Sequence, residues 1–192
     1  MITLSDLLTI LRLSIQNPEE AGRQLIALNP PMPLRWMLLG AAVTASVVLL
    51  YLLPVAMGEH DALPSPFAFA ATQGGMNLVV VALVTFVGSA FGGKGRFADV
   101  LWLVGWMQVV TAALLIVQLV VMLLLPILNI PVGAAAVAIS IWVLVGFICA
   151  VHGFKSRVAV LVAGFMTFMV FSFILSLILL FLGFGPAEIA NV

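Results

Sequence analysis

The sequence predicts an all-α integral membrane protein, in which a bundle of five transmembrane helices follows a pair of amphipathic interfacial helices. Two observations carry this prediction. Of 192 residues, 65% are hydrophobic and only 7% are charged, whereas about 25% of an ordinary soluble domain is charged. Long charge-free stretches also recur, including 32 residues before Lys94 and 55 residues after Asp99. Apolar stretches of this length are typical of bilayer-spanning helices.

Residues 2–15 predict an amphipathic helix that does not cross the membrane. Leucine and isoleucine recur there at spacings of three and four, while Asp6, Thr9 and Arg12 fall on the opposite face. A short helix with one apolar and one polar face lies on a membrane rather than through it. We expect it to lie along the cytoplasmic interface. Packing against the protein's own cytoplasmic loops is the alternative.

A second helix is predicted directly after the first. Asn17 is a favourable N-cap, and Pro18 suits the first helical position. Glu19 and Glu20 then lie at the positive end of the helix dipole. The stretch NPPMP at 29–33 breaks this helix and turns the chain towards the membrane. We expect the second helix to lie in the interface beside the first.

Five apolar stretches predict the spans, which cover residues 34–57, 72–91, 100–125, 132–151 and 158–184. The connectors between them are short, which favours one antiparallel bundle; they are residues 58–66, 92–97, 126–131 and 152–157. The chain thus divides into interfacial helices at 1–33, a transmembrane domain at 34–184 and a short periplasmic tail at 185–192.

The charges predict the orientation of these spans. With five spans, every basic residue falls on one side of the membrane: Arg12, Arg23, Arg35, Lys94, Arg96, Lys155 and Arg157. The other side carries only acidic charges: Glu59, Asp61 and Glu188. Short loops rich in lysine and arginine stay in the cytoplasm. We therefore expect a multi-pass membrane protein whose N-terminus is cytoplasmic and whose C-terminus lies on the opposite side of the membrane.

A glycine-rich loop, FGGKGRFADV at 91–100, follows the second span. It is not a phosphate-binding P-loop, because no serine or threonine follows Lys94 and no strand precedes it. Its glycines favour a tight reversal of the chain, and Asp99 is placed to pair with Lys94 or Arg96. A topological role is the favoured interpretation, and partner docking is the alternative. The candidate partner-contact residues are Lys94, Arg96, Asp99, His152, Lys155 and Arg157.

Polar side chains within the second and third spans form a candidate intramembrane polar face, which consists of Asn77, Gln108, Thr111 and Gln118. Such groups in hydrocarbon form hydrogen bonds between helices. A substrate path would have the same sequence pattern. However, pathways driven by protons or ions usually need an ionisable group in mid-span, and the sequence has none. Packing is therefore the favoured interpretation.

No catalytic pattern is present in the sequence. It has no HExxH, no GxSxG and no pair of aspartates within the spans. Cys149 is the single cysteine, and His152, at the end of the fourth span, is expected to be structural rather than a ligand. We predict no enzyme activity, no cofactor and no metal site. The net charge of zero gives no reason to expect a nucleic-acid partner.

Small residues and tryptophans indicate how the helices pack. Small residues four positions apart predict helix-packing seams at Ala41 and Ala45, at Ala134 and Ala138, and at Gly146 and Ala150. Tryptophans often lie at the membrane interface. We expect Trp36 and Trp102 to be such anchors, and Trp106 and Trp142 to pack inside the bundle.

The chain resembles bacterial members of the Ypt-interacting-protein (YIP) family. The resemblance covers about residues 5–183. It rests on FGGKGRFADVLWLVGWMQVVTAALLIVQLV and IWVLVGFICAVHGFKSRVAVLVAGF, and on the turn formed by His152, Gly153, Phe154 and Ser156. It implies an amphipathic N-terminal region, five spans and a membrane protein of trafficking type. For a bacterial member it also implies a location in the inner membrane, with the C-terminus in the periplasm. Eukaryotic relatives bind prenylated small GTPases and help to shape or sort vesicles. This chain lacks their long soluble N-terminal region, which argues against GTPase binding.

The residues and the resemblance together predict a non-enzymatic scaffold or accessory subunit. It would act through helix–helix contacts and its cytoplasmic face. The expected partners are membrane lipids and either another membrane protein or a second copy of the chain. The alternative is a small transporter, channel or lipid-handling protein that uses the polar faces of the second and third spans.

Overall fold

The computed structural model describes residues 4–56 and 65–183. Within these two stretches the chain forms α-helices and one short 3-10 helix, and no strand. Five of the helices are long and apolar enough to cross a membrane, which confirms the all-α fold with five spans. The predictions for the acidic connector with Glu59 and Asp61, and for the tail at 185–192 with Glu188, lie outside the described residues.

The helices follow the predicted order. They are α1 (Leu4–Gln16), α2 (Pro18–Ala27), α3 (Met32–Ala56), α4 (Pro66–Ala90), α5 (Phe97–Leu124), a 3-10 turn (Pro126–Leu128), α6 (Asn129–His152) and α7 (Arg157–Phe181). Helices α3 to α7 have 24 to 28 residues each. At 1.5 Å per residue they are about 36–42 Å long, which exceeds the hydrocarbon core of about 30 Å.

Capping residues explain the start of α2 and the end of α6. Asn17 is the N-cap of α2, since its side chain accepts a hydrogen bond from the backbone N–H of Glu20 at 3.4 Å, as predicted. Helix α6 ends at Gly153, whose φ of 75° is left-handed and suits glycine.

The start of the second span was predicted six residues too late. Helix α4 begins at Pro66, directly after its N-cap Ser65, and proline is favourable in the first turn because its missing N–H has no helical partner there. Thr72 and Gln73 suggested a polar boundary, but both lie inside the helix. The hydroxyl of Thr72 donates to the carbonyl oxygen of Ala68 at 2.9 Å, so the helix itself satisfies it.

The chain divides into two compact units, and the boundary follows Lys155. The first unit contains α1 to α6. The second contains α7, whose N-cap Ser156 accepts a hydrogen bond on its side chain from the N–H of Ala159 at 3.2 Å.

Helix α5 is the centre of the first unit. In its N-terminal half every residue from 99 to 107 is buried, as is Val110. One buried cluster joins Trp102 and Trp106 of α5 to Leu25 of α2 and Phe147 of α6. A second cluster joins the other side of α5 to α3 and α4, through Leu39, Val43, Val81, Val100, Leu101 and Val104. The core of this unit therefore lies around the first half of α5.

Only one of the three predicted small-residue seams is a packing seam in the first unit. Ala41, Ala45, Ala134 and Ala138 are exposed. Gly146 and Ala150 do pack closely, but against α2 rather than against another span. A Cβ atom added at Gly146 would lie 2.5 Å from Cγ of Pro18, and one added at Gly22 would lie 2.7 Å from Cβ of Ala150.

Candidate functional site

An ion-pair network joins α3 to the start of α5. The Arg35 guanidinium donates through Nη1 to Oδ1 of Asp99 at 2.9 Å, and Arg96 donates through Nε to Oδ2 of the same carboxylate at 2.8 Å. Arg35 and Asp99 are 4% and 6% exposed. The predicted pairing of Asp99 with Lys94 or Arg96 is therefore confirmed for Arg96. The buried partner, Arg35, was not predicted.

Arg35 also holds the turn between α2 and α3. Its Nε donates to the carbonyl oxygen of Pro30 at 2.8 Å, and its Nη2 donates to Oδ1 of Asn29 at 3.0 Å. Asn29 has a positive φ of 40°. One guanidinium thus fixes this turn onto α5. No local pattern indicates this role, because Arg35 and Asp99 are 64 positions apart.

Arg96 presents its charge to solvent while it holds Asp99. Its side chain is 71% exposed, and the residue is the N-cap of α5. The hydrogen bond from Arg96 to Asp99, and then their charge attraction, raise the pKa of the Arg96 guanidinium. Arg96 therefore remains a cation at the surface.

His152, the last residue of α6, holds the glycine loop in place. Its Nδ1 accepts a hydrogen bond from the N–H of Gly95 at 3.1 Å. Because a backbone N–H can only donate, Nδ1 carries no proton in this arrangement. The other nitrogen, Nε2, then donates to the carbonyl oxygen of Val84 at 2.9 Å. A neutral imidazole thus connects α6 to α4 and to the loop that follows it.

The glycines of the loop make room for this imidazole. A Cβ atom added at Gly95 would lie 2.7 Å from Cε1 of His152, and one added at Gly88 or Gly93 would overlap the same ring. Phe154 stacks on the ring at 5.3 Å between centroids. We term Gly88, Gly93, Gly95, His152 and Phe154 the histidine clamp. The predicted tight reversal needs a positive φ only at Gly92, where φ is 82°.

The clamp and the ion-pair network bring five of the six candidate partner-contact residues to one end of the first unit. The backbone N–H of Lys94 donates to the carbonyl oxygen of His152 at 3.4 Å. Lys94 therefore lies beside the end of α6, and Lys155 follows that end by three residues. We term this end, where Arg35, Lys94, Arg96 and Lys155 lie, the basic end. Arg157, the sixth candidate, begins α7 in the second unit.

The polar residues of the second and third spans pair directly with one another. Nε2 of Gln73 donates to Oε1 of Gln108 at 3.3 Å, and Nε2 of Gln108 donates to Oδ1 of Asn77 at 2.6 Å. We term Gln73, Gln108 and Asn77 the amide chain. Oε1 of Gln73 and Nδ2 of Asn77 are buried without a hydrogen-bond partner. Gln73 was not among the predicted site residues.

The predicted polar face is not continuous. The hydroxyl of Thr111 donates to the carbonyl oxygen of Met107 at 3.0 Å, within its own helix. Gln118 donates to Oδ1 of Asn129 at 3.4 Å. It lies ten residues, or about 15 Å, along α5 from Gln108. Only Asn77 and Gln108 of the four predicted residues come together.

Three tryptophans tie the N-terminal helices to the spans. Nε1 of Trp102 donates to the carbonyl oxygen of Leu25 at 3.0 Å, and Nε1 of Trp106 donates to Oγ of Ser14 at 3.0 Å. Nε1 of Trp142 donates to the carbonyl oxygen of Ile15 at 3.1 Å. Trp102, which we predicted to be an interfacial anchor, is buried because α2 covers it, so its indole packs within the first unit.

Comparison with known proteins assigns a family to this arrangement. The family model described as the Yip1 domain matches residues 12–183, which is nearly the whole described chain. Neither the comparison with curated proteins nor the comparison with solved structures finds a match. The matched range begins inside α1 and ends just after α7, so it includes the histidine clamp, the ion-pair network and the amide chain.

Proposed function

Since the chain belongs to the Yip1 family of membrane proteins, we propose that it is a non-enzymatic scaffold or accessory subunit of the bacterial inner membrane. It acts through contacts between helices and through its basic end. The N-terminus is cytoplasmic and the C-terminus periplasmic, because short loops rich in lysine and arginine stay in the cytoplasm. Its partners are membrane lipids and either another membrane protein or a second copy of this chain.

The histidine clamp is the observation that supports this proposal most. Nδ1 of His152 holds the loop through the N–H of Gly95 at 3.1 Å, and Nε2 anchors the same ring to Val84 of α4 at 2.9 Å. The backbone at Lys94 and Arg96, on either side of Gly95, is therefore held in a fixed position. Fixed cations lose less side-chain and backbone freedom on binding than cations on a mobile loop. A preorganised basic surface suits an acidic surface on a partner protein, where charge complementarity selects the partner.

Affinity purification of the full chain from a mild detergent, followed by native mass spectrometry, tests the scaffold proposal. We expect a co-purifying membrane protein or a second copy. Reversing two charges, Lys94→Glu with Lys155→Glu, is expected to reduce the co-purified partner at least about tenfold, the change that corresponds to 1.4 kcal/mol. The matched control, Lys94→Arg with Lys155→Arg, keeps both charges and is expected to keep the partner. A strict monomer without bound protein or lipid contradicts the proposal.

Transport along the polar faces of the second and third spans is the alternative function. The direct pairing of Gln108 with Asn77 at 2.6 Å favours packing over a path, because paired side chains fill the space between their helices. The discriminating measurement is flux into vesicles that contain the reconstituted protein. Unchanged flux in Gln108→Leu and Asn77→Leu excludes the amide chain from any path.

A further inference from the structure

Helix α2 lies along α6 in a fixed direction. Pro18, at its start, faces Gly146, and Gly22, one turn later, faces Ala150. The two helices are therefore parallel, and α2 runs towards the end of α6 at His152. The start of α2 is consequently the part that lies furthest from the basic end.

Contacts of the residues before α2 give the depth of the turn between α1 and α2. Ser14 bonds to Trp106, nine residues after the start of α5, and Ile15 bonds to Trp142, ten residues before the end of α6. At 1.5 Å per residue both tryptophans lie about 14–15 Å from the basic end. Since the hydrocarbon core is about 30 Å thick, this level is well inside the membrane rather than at its surface.

Part of the apolar surface of α1 is exposed, whereas Ile10, Leu11 and Leu13 pack against the buried cluster around Trp106. Leu8 is 57% exposed and Ile15 is 37% exposed. Ile15 adjoins Trp142, and the preceding residue of α6, Ile141, is 46% exposed. The exposed face of α1 is therefore continuous with the outward surface of a span, and that surface is covered by lipid in a membrane protein.

The charges of α2 are compatible with this depth. Arg23 pairs with Glu19 at 2.6 Å and with Glu20 at 2.8 Å, so each of the three charged groups has a partner, although the cluster keeps one net negative charge. They lie between the levels of Gly146 and the end of α6, within about 9 Å of the basic end. The polar headgroup region adds about 5–7 Å on each side of the hydrocarbon core. It therefore accounts for most of the distance of about 9 Å between these charges and the basic end.

We propose that the α1–α2 pair is a re-entrant element, which enters the membrane leaflet at the basic end and presents the apolar face of α1 to lipid acyl chains. Its turn lies about as deep as Trp142. The occupant of this face is lipid, because the face continues the outward surface of α6. The proposal rests on the membership of the chain in a family of membrane proteins and on the contacts of α1 and α2. It does not depend on the scaffold function.

Spin-label accessibility in vesicles tests this proposal. Single cysteines replace Leu8, Ile15, Ile141 and Lys155 in the full chain that carries Cys149→Ser, and the labelled protein is reconstituted into phosphatidylethanolamine and phosphatidylglycerol. Collision rates with oxygen and with a water-soluble nickel chelate give the depth of each label. Ile141 is the deep reference, and Lys155, which is exposed beyond the end of α6, is the shallow one.

We expect the label at position 15 to lie within about 4 Å of the depth of the label at 141, and at least about 8 Å deeper than the label at 155. The label at position 8 is expected to collide more often with oxygen than with the chelate. Chelate accessibility at 8 and 15 equal to that at 155 overturns the proposal, because α1 then lies in water. Protection of both positions from both reagents also overturns it, because protein rather than lipid then covers α1.

Discussion

Individual buried side chains decide how the helices meet at the basic end. His152 accepts and donates one hydrogen bond each, so a single neutral ring connects three segments. Arg35 and Asp99 form an ion pair at 2.9 Å in a region that excludes water. Such groups are stabilising only as complete sets, because a buried polar group that loses its partner retains its full desolvation cost.

Gly88→Ala tests the steric requirement of the histidine clamp. The added methyl group overlaps the imidazole of His152, and we expect a loss of about 1–3 kcal/mol in the free energy of unfolding. SDS titration of the purified protein in detergent micelles measures it. Gly75→Ala is the matched control in the same helix, since nothing lies within 4 Å of its added Cβ. Equal stability of the two variants contradicts the clamp.

Asp99→Asn tests the ion-pair network. The substitution leaves the buried Arg35 charge without a counter-charge. We therefore expect the free energy of unfolding to fall by about 3–5 kcal/mol. Arg96→Gln removes an exposed partner of the same carboxylate and is expected to change stability little. The double variant Arg35→Leu with Asp99→Leu is expected to recover part of the loss. An Asp99→Asn protein as stable as Arg96→Gln contradicts the buried ion pair between Arg35 and Asp99.

At the level of the helices, the amide chain determines how α4 and α5 meet in mid-span. Three amides in a line form two hydrogen bonds, at 3.3 Å and 2.6 Å. If all three amides are turned by 180°, the two bonds reverse, and one donor and one acceptor again remain at the ends. The chain is therefore incomplete in either orientation. Its net contribution is small, since interhelical hydrogen bonds in membranes contribute about 0.6–2 kcal/mol each.

Replacing one amide is expected to lower the free energy of unfolding more than replacing all three. Gln108→Leu breaks both hydrogen bonds and leaves Gln73 and Asn77 buried without a partner, so we expect a loss of about 1–3 kcal/mol. The triple leucine variant at 73, 77 and 108 has no polar atom left to satisfy and is expected to lie within about 1 kcal/mol of the original chain. The control is Thr111→Val, whose hydroxyl bonds only within α5. A triple variant less stable than Gln108→Leu contradicts this account.

Elements with a local signal were predictable from the sequence. The caps at Asn17 and the apolar spans follow from neighbouring residues alone. The clamp was not predictable, because the sequence shows the glycines of residues 92–95 but not the ring that they face, which comes 57 positions later. The position of α1 and α2 depends on Trp142, which is 127 positions from Ile15. Periodicity shows that a helix has an apolar face but does not show which surface covers it.

At the scale of the whole first unit, burial is uneven along the spans. The first half of α5 is enclosed by α2, α3, α4 and α6. Six residues of its second half are exposed: Ile116, Val117, Val120, Met122, Leu123 and Leu124. Protein contacts within the first unit therefore concentrate at the basic end, and the opposite end of α5 is exposed. The basic residues and the tightest packing occur together, so the orientation of the chain decides which leaflet surrounds the core.

Cysteine labelling in spheroplasts tests this orientation. Single cysteines at Ser65 and at Ser156, both exposed, are introduced with Cys149→Ser and treated with a membrane-impermeant maleimide. We expect labelling at 65 and protection at 156 until the membrane is opened, because the cations near 156 resist transfer across the bilayer. The reverse pattern, or equal labelling of both positions, contradicts a cytoplasmic basic end.

The long sequence separations within the basic end impose an order in time. Ribosomes add about 5–20 residues per second. His152 is therefore synthesised about 3–11 seconds after Gly95, which precedes it by 57 residues. The interval is longer for Ile15, since its partner Trp142 follows after 127 residues. We expect α3, α4 and α5 to insert during this interval, before the core is complete. Because Arg35, Lys94 and Arg96 are already present by then, we expect charge to select the orientation of the chain before the histidine clamp forms.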